Sequence, residues 1–135
     1  MIPMKLKKII LDASVLIEAA KSRVDIFGQI KETFPKSELV TSDSVMSEIR
    51  KISEGRSRAA LAAKVAFQLA GKNRIKTVKT EGVGDDSLIE LCGSESVLIT
   101  QDKELRNRCS KKGFLTGYLR EKRYLIFGRG NLERR

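Results

Sequence analysis

An unbroken apolar run, Ile9-Ile10-Leu11, stops at Asp12 and predicts a short buried strand. Val15, Leu16 and Ala19 then share one stripe, which predicts a helix from Ala13 to Ala20. A second helical stretch, from about Val24 to Thr33, must end before Pro35, because proline disfavours helical backbone in its predecessor. Glu38 to Thr41 reads as a short strand, and Ser42 can cap a following helix carrying Val45, Ile49 and Ile52 at helical spacing. An alanine-rich helix over Ser57 to Ala70 stops at Gly71, and Arg74 to Val78 alternates like a strand. Asp85 or Asp86 opens a helix through Leu88, Ile89 and Leu91, and Val97 to Thr100 forms another buried strand. Asp102 starts a helix that Gly113 ends, and strands near Phe114–Leu119 and Arg123–Phe127 precede a basic tail.

Strands alternating with helices predict an α/β fold, a three-layer sandwich around a mainly parallel central sheet. The 135 residues contain no internal repeat and no long linker, so they read as a single domain, 1–135, with a basic tail from about residue 120. With 41% hydrophobic and 33% charged residues, the chain is not expected to be disordered or to span a membrane. Lys5 to Leu11 imitates a signal peptide, but Asp12 and Glu18 interrupt the apolar stretch. Cys92 and Cys109 are too few for a disulfide framework or a four-thiolate zinc site, and read as small core residues in a reducing, cytoplasmic setting.

There is no histidine. That excludes Ser-His-Asp and Cys-His nucleophile pairs, histidine acid–base ribonuclease chemistry and histidine-bearing zinc sites. Charge is also unevenly placed within the net +10: residues 50–79 carry nine bases and one acid, residues 80–102 six acids and no base, and residues 103–135 eleven bases and three acids. Concentrated carboxylates inside a basic protein imply bound cations or raised pKa values. Ligands of an open parallel sheet gather at the carboxyl ends of its strands. Asp12 ends the first strand, Asp102 follows the strand ending at Thr100, Asp85 and Asp86 open a helix, and Glu48 lies on the helix after Thr41. Right-handed crossovers bring these ends to one edge, where all-oxygen ligands suit Mg²⁺ or Mn²⁺. Helix capping is the competing reading for Asp85, Asp86 and Asp102, and a solvated helix surface for Glu48.

Leu11-Asp12-Ala13-Ser14, Val45-Met46-Ser47-Glu48-Ile49, Asp85-Asp86-Ser87-Leu88-Ile89 and Thr100-Gln101-Asp102 occur in the order of a PIN domain, which the chain resembles over about residues 7–120. The resemblance implies a metal-dependent endoribonuclease with Asp12, Glu48, Asp85 and Asp102 as metal-binding catalytic acids, two Mg²⁺ or Mn²⁺ ions, and products with 5′-phosphate and 3′-hydroxyl ends. Asp12 and Asp102 would bind the principal ion, with Glu48 and Asp85 binding the second or orienting water; Asp86 is an added or substitute acid. Where the family commonly has Thr, this chain has Ala13. The Asp-Asp pair and the basic continuation look like the ribosomal-RNA-processing branch related to Fcf1 and Utp24, with the VapC toxin branch as second choice. The partner implied is RNA, its backbone held by Arg56, Arg58, Arg106, Arg108, Arg120 and Arg123. Seven aromatic residues are few for a base-stacking sheet. A homodimer is compatible with the family, but no stretch of sequence marks its face. The rival is a non-catalytic RNA-binding scaffold on the same fold. A haloacid-dehalogenase-like phosphatase is disfavoured because Ser14 stands where that chemistry needs a second Asp.

Overall fold

The protein is described here by a computed structural model covering residues 6–128. In chain order its elements are β1 (Lys8–Leu11), α1 (Ala13–Ser22), α2 (Ile26–Thr33), β2 (Glu38–Ser42), α3 (Asp43–Ser53), α4 (Arg58–Lys72), β3 (Lys76–Val78), α5 (Asp85–Leu91), β4 (Ser96–Ile99), α6 (Lys103–Lys111), β5 (Leu115–Arg120) and β6 (Tyr124–Gly128). The sheet order is β3-β2-β1-β4-β5-β6. β1 to β5 are parallel and β6 returns antiparallel to β5. This is the α/β sandwich with a mainly parallel sheet that the hydrophobic pattern predicts.

Ile9-Ile10-Leu11 and Val97-Leu98-Ile99 are paired neighbours at the centre of the sheet, and all six side chains are fully buried. Unbroken apolar runs, rather than alternation, are what a strand needs when helices cover both faces. Each such side chain contributes about 1.5–3 kcal/mol by leaving water. Right-handed crossovers place α1, α3 and α4, which pack on one another, over one face, and α5 and α6 over the other. The order in which strands are added reverses between β1 and β4, and the crevice at such a switch point is where open α/β sheets bind ligands.

Arg74 adopts left-handed backbone (φ 57°) as the chain leaves α4, so β3 begins at Lys76, two residues later than the alternation predicts. Cys109 is buried in the core and Cys92 half-buried, its thiol donating to Leu88 O at 3.4 Å. The first part of the basic tail forms the β5–β6 hairpin; residues 129–135 lie outside the described residues, as does Lys5.

The hairpin packs down on Gly117, where an added Cβ would meet Phe127 Cδ1 at 2.6 Å and Ile126 O at 2.8 Å. Phe127 is itself held edge-on by Phe34, ring centroids 5.2 Å apart, so it has little room to yield. Gly117→Ala is therefore expected to cost about 1–3 kcal/mol of stability. A lower urea midpoint with an unchanged denaturant slope will check it.

Candidate active site

Asp12 follows directly on β1 and is the N-cap of α1. Its carboxylate is buried, yet both oxygens are engaged. Ala13 N–H donates to Oδ1 at 2.7 Å, while Ser14 Oγ at 2.8 Å and Thr100 Oγ1 at 2.6 Å both donate to Oδ2. A hydroxyl has one proton and two lone pairs. With their protons spent on Asp12, the two hydroxyl oxygens accept from the backbone across the crevice: Ser14 from Gln101 N–H at 3.0 Å and Thr100 from Asp102 N–H at 3.1 Å. Asp12 on β1 is thus tied to the turn that presents Asp102 after β4.

That turn is fixed from its other side as well. Gln101 accepts from Leu119 N–H at 2.6 Å and donates to Leu119 O at 3.1 Å, continuing the β4–β5 ladder with a side chain. Asp102 caps α6 through Oδ1, bonded to Glu104 N–H at 2.9 Å and Leu105 N–H at 3.3 Å. Capping and a site role are therefore compatible, since Oδ1 alone takes the cap bonds. Arg106 is buried, donates to Thr100 O at 2.8 Å and lies 4.2 Å over the Tyr118 ring. This corrects the expectation that it holds RNA: on α6 its position turns it into the fold, where it supports the Thr100 backbone.

Asp85 is positioned by bonds that its sequence motif does not display. Asp43, at the start of α3, accepts from Thr80 N–H at 3.3 Å, and Ser44 Oγ accepts from Gly84 N–H at 2.8 Å. Gly84 has φ 56° and ψ −132°, a mirror-image extended conformation that an L side chain resists. Beneath it Ser42 and Ser87 hydroxyls meet at 2.7 Å in the interior. Asp85 then points into the cleft, whereas Asp86 on the next helical position turns out to Arg108, 2.8 Å away. Asp86 thus stands outside the cleft, and Arg108 is engaged by it at the surface.

Asp12, Glu48, Asp85 and Asp102 line one cleft of about 450 Å³. Glu48 projects into it with an exposed side chain, but the walls desolvate its carboxyl, and Asp12 and Asp85 add negative charge; all three effects raise its pKa. Burial raises Asp85 likewise, followed by the charges of Asp102 and Asp12, with Arg108 opposing. No three of these groups among the described residues approach closely enough to enclose a single ion.

The sequence matches the family model described as PIN like domain over residues 9–122. The chain belongs to the PIN-like domain family. Ribonuclease VapC9 of Archaeoglobus fulgidus is 34% identical over 119 residues, covering 87% of this PIN-like domain protein and 86% of that one. The PIN domain endonuclease Utp24 superposes with a TM-score of 0.73 over 92% of both chains, at 19% identity, a likeness of fold. No helix among the described residues is long and apolar enough to cross a membrane.

Two polar residues of the PIN-like cleft escape the motif reading. Glu18 and Lys21 on α1 line it beside Ser14 and Ile17, and Glu18 accepts from Ser22 Oγ at 2.8 Å. Positions 14, 17, 18 and 21 share one helical face, and that spacing is the signal that could have found them. Among the described residues, Lys21 brings the one Lys or Arg side chain to the cleft lining.

The raised pKa of Glu48 has a definite sign in stability. Between its ordinary value and the raised one, the folded chain holds a proton that the unfolded chain has lost. Stability of the metal-free protein therefore falls as pH rises through that window and stays reduced at neutral pH. Glu48→Gln should melt higher than wild type at pH 7, and the difference should vanish below the ordinary carboxylate range. Melting curves across pH without divalent ions will check this.

Proposed function

We propose that this chain is a metal-dependent endoribonuclease that hydrolyses RNA phosphodiester bonds, with Asp12, Glu48, Asp85 and Asp102 as its site residues. The observation that carries the reading is four carboxylates from four separate elements sharing one cleft at the sheet's switch point, within a chain of net charge +10. The ribonuclease activity named for VapC9 supports it at the level of sequence kinship.

An all-oxygen donor set without histidine or thiolate fits Mg²⁺ or Mn²⁺. Mg²⁺ keeps several waters and takes one or two carboxylates plus substrate phosphate, so a pair of these carboxylates supplies donors enough for one ion. Asp12 and Asp102 would hold the principal ion, and Glu48 and Asp85 would hold the second or orient water. When bound, such ions lower the pKa of the attacking water and offset charge on the departing oxygen. The protein's own groups do the positioning. Ser14, Thr100 and Ala13 N–H fix both oxygens of Asp12. Lys21 faces an entering phosphate, and Ile17 and Ile52 form an apolar wall. The exposed Arg56, Arg58, Arg120 and Arg123 are left to draw the RNA backbone.

Ribosomal RNA precursors are the first substrate reading. It leans partly on Asp86, which pairs with Arg108 outside the cleft and so supports it as a motif residue alone. Kinship with VapC9 favours a second reading, a VapC-type toxin ribonuclease. Growth arrest on induced expression, relieved by Asp12→Asn, supports the second; uncut precursor RNA on depletion supports the first.

Asp12→Asn keeps the shape but exchanges one acceptor oxygen for a donating NH2. With the NH2 at the Oδ2 position the Ser14 and Thr100 hydroxyls can turn and accept from it, so the fold and RNA affinity should survive. Mn²⁺-dependent cleavage of single-stranded RNA should fall to the level seen with chelator. RNA binding with no cleavage by wild type in any divalent ion would instead identify a non-catalytic scaffold.

A further inference from the structure

A second hollow, of about 550 Å³, opens between the corner that follows α1 and the tip of the β5–β6 hairpin, lined chiefly by Ser22, Arg23, Glu121, Lys122, Arg123 and Tyr124. Its side chains are exposed apart from Ser22 and Val24, and Tyr124 is 58% exposed, a large ring left in water on a chain with only seven aromatic residues. The backbone here is unusual. Of the four non-glycine residues with left-handed φ among the described residues, three line this hollow: Arg23 (57°), Glu121 (53°) and Lys122 (58°). The turn closed by Arg123 N–H to Arg120 O has both central residues left-handed, a mirror-image type that Asn-Gly ordinarily fills. Glu-Lys occupies it instead, so long charged side chains stand where glycine would relieve the backbone, and strain of this kind concentrates at functional positions.

Both rims are held by hydrogen bonds. The Gln29 side chain donates to Arg123 O at 2.8 Å and accepts from Leu125 N–H at 2.9 Å, bracketing Tyr124 with two bonds. On the other rim, Val24 N–H bonds Ala19 O at 2.9 Å and closes the end of α1. The hollow neighbours the cleft along α1: Glu18 and Lys21 line the cleft, Ser22 and Arg23 line the hollow, and Ser22 bonds Glu18. Ser14 to Arg23 covers about 13 Å of helix, a distance that a few nucleotides of single strand span.

The geometry points to a nucleotide subsite in this hollow, with one unpaired base of a single-stranded RNA stacked on Tyr124 and its flanking phosphates held by Arg23, Lys122 and Arg123. The assignment rests on RNA being the substrate of the cleft. Three cations against the single carboxylate of Glu121 favour a polyanion, and an accessible ring face serves a base irrespective of its identity. One ring is a single stacking position, consistent with too few aromatics for a stacking sheet. An acidic peptide would use the cations and leave the ring without a role.

The test measures fluorescence anisotropy of end-labelled oligouridylates of increasing length on the full chain in chelator, and cleavage in Mn²⁺. Tyr124→Ala should weaken binding of long oligomers by about 5- to 100-fold, the range for loss of one base stack. Tyr124→Phe should retain wild-type affinity, and trimers too short to reach the hollow should bind all variants alike. Glu121→Gln should tighten binding. In cleavage, Tyr124→Ala should raise KM for long RNA and leave kcat unchanged. Photocrosslinking from 4-thiouridine should map to residues 121–124. If wild type cuts RNA through Asp12 but Tyr124→Ala binds every length as wild type does, the subsite is overturned while the function stands. Competition by polyglutamate that is equal for wild type and Tyr124→Ala, with RNA affinity also equal, would assign the hollow to an acidic partner. If wild type neither binds nor cuts RNA, the reading of the cleft fails first.

Discussion

A buried carboxylate at the centre of a parallel sheet must be satisfied by donors it cannot lose. Asp12 meets that requirement with two hydroxyl protons and one backbone N–H. Because each hydroxyl has a single proton, Ser14 and Thr100 are left with lone pairs, and those lone pairs capture the N–H groups of Gln101 and Asp102. The satisfaction of one acid therefore sets the path of the turn that presents another. Removing Thr100 Oγ1 would loosen both, which is why the site geometry depends on a residue that holds no negative charge.

The same economy governs the third acid. Thr80, Gly84 and the Ser42–Ser87 pair tie the entry of α5 to the start of α3, so Glu48 and Asp85 are fixed relative to each other by small polar side chains between elements. Small hydroxyl side chains suit this work because they bridge backbone groups without filling space that packing needs. Gln29 and Gln101 act alike at longer reach, each pinning a β-strand by donating and accepting at once.

The class of fold was legible because Ile9-Ile10-Leu11 and Val97-Leu98-Ile99 admit little except central strands, and because an Asp directly after such a run has to face the sheet edge. The gathering of Asp12, Glu48, Asp85 and Asp102 was legible for the same reason, as strand-end arithmetic. What stayed hidden depends on rotation about a helix and on tertiary closure. Asp85 and Asp86 are adjacent letters, yet successive helical positions diverge, so one enters the cleft and the other meets Arg108. Arg106 and Arg108 differ likewise: an arginine run reads as a charged surface until packing buries one member over Tyr118. The clamps by Gln29 and Gln101 join residues 94 to 96 and 18 positions apart, beyond the reach of any local pattern.

The charge layout adds a constraint of range. At physiological ionic strength, exposed charges are largely screened beyond about 8 Å. The basic segments at residues 50–79 and 103–128 can raise the local concentration of a polyanion, but they cannot cancel the mutual repulsion of carboxylates inside the cleft. That repulsion is felt in the raised pKa of Glu48 and Asp85. Among the described residues of the lining, Lys21 is a single cation beside five carboxylates, since Glu18 joins the four acids of the motifs. A phosphodiester entering the cleft adds further negative charge, so attraction at long range has to be completed by cations at short range. The acidic edge and the basic rim are therefore complementary parts of one arrangement, in which the rim brings the polyanion near and neutralisation within the cleft decides whether it can stay.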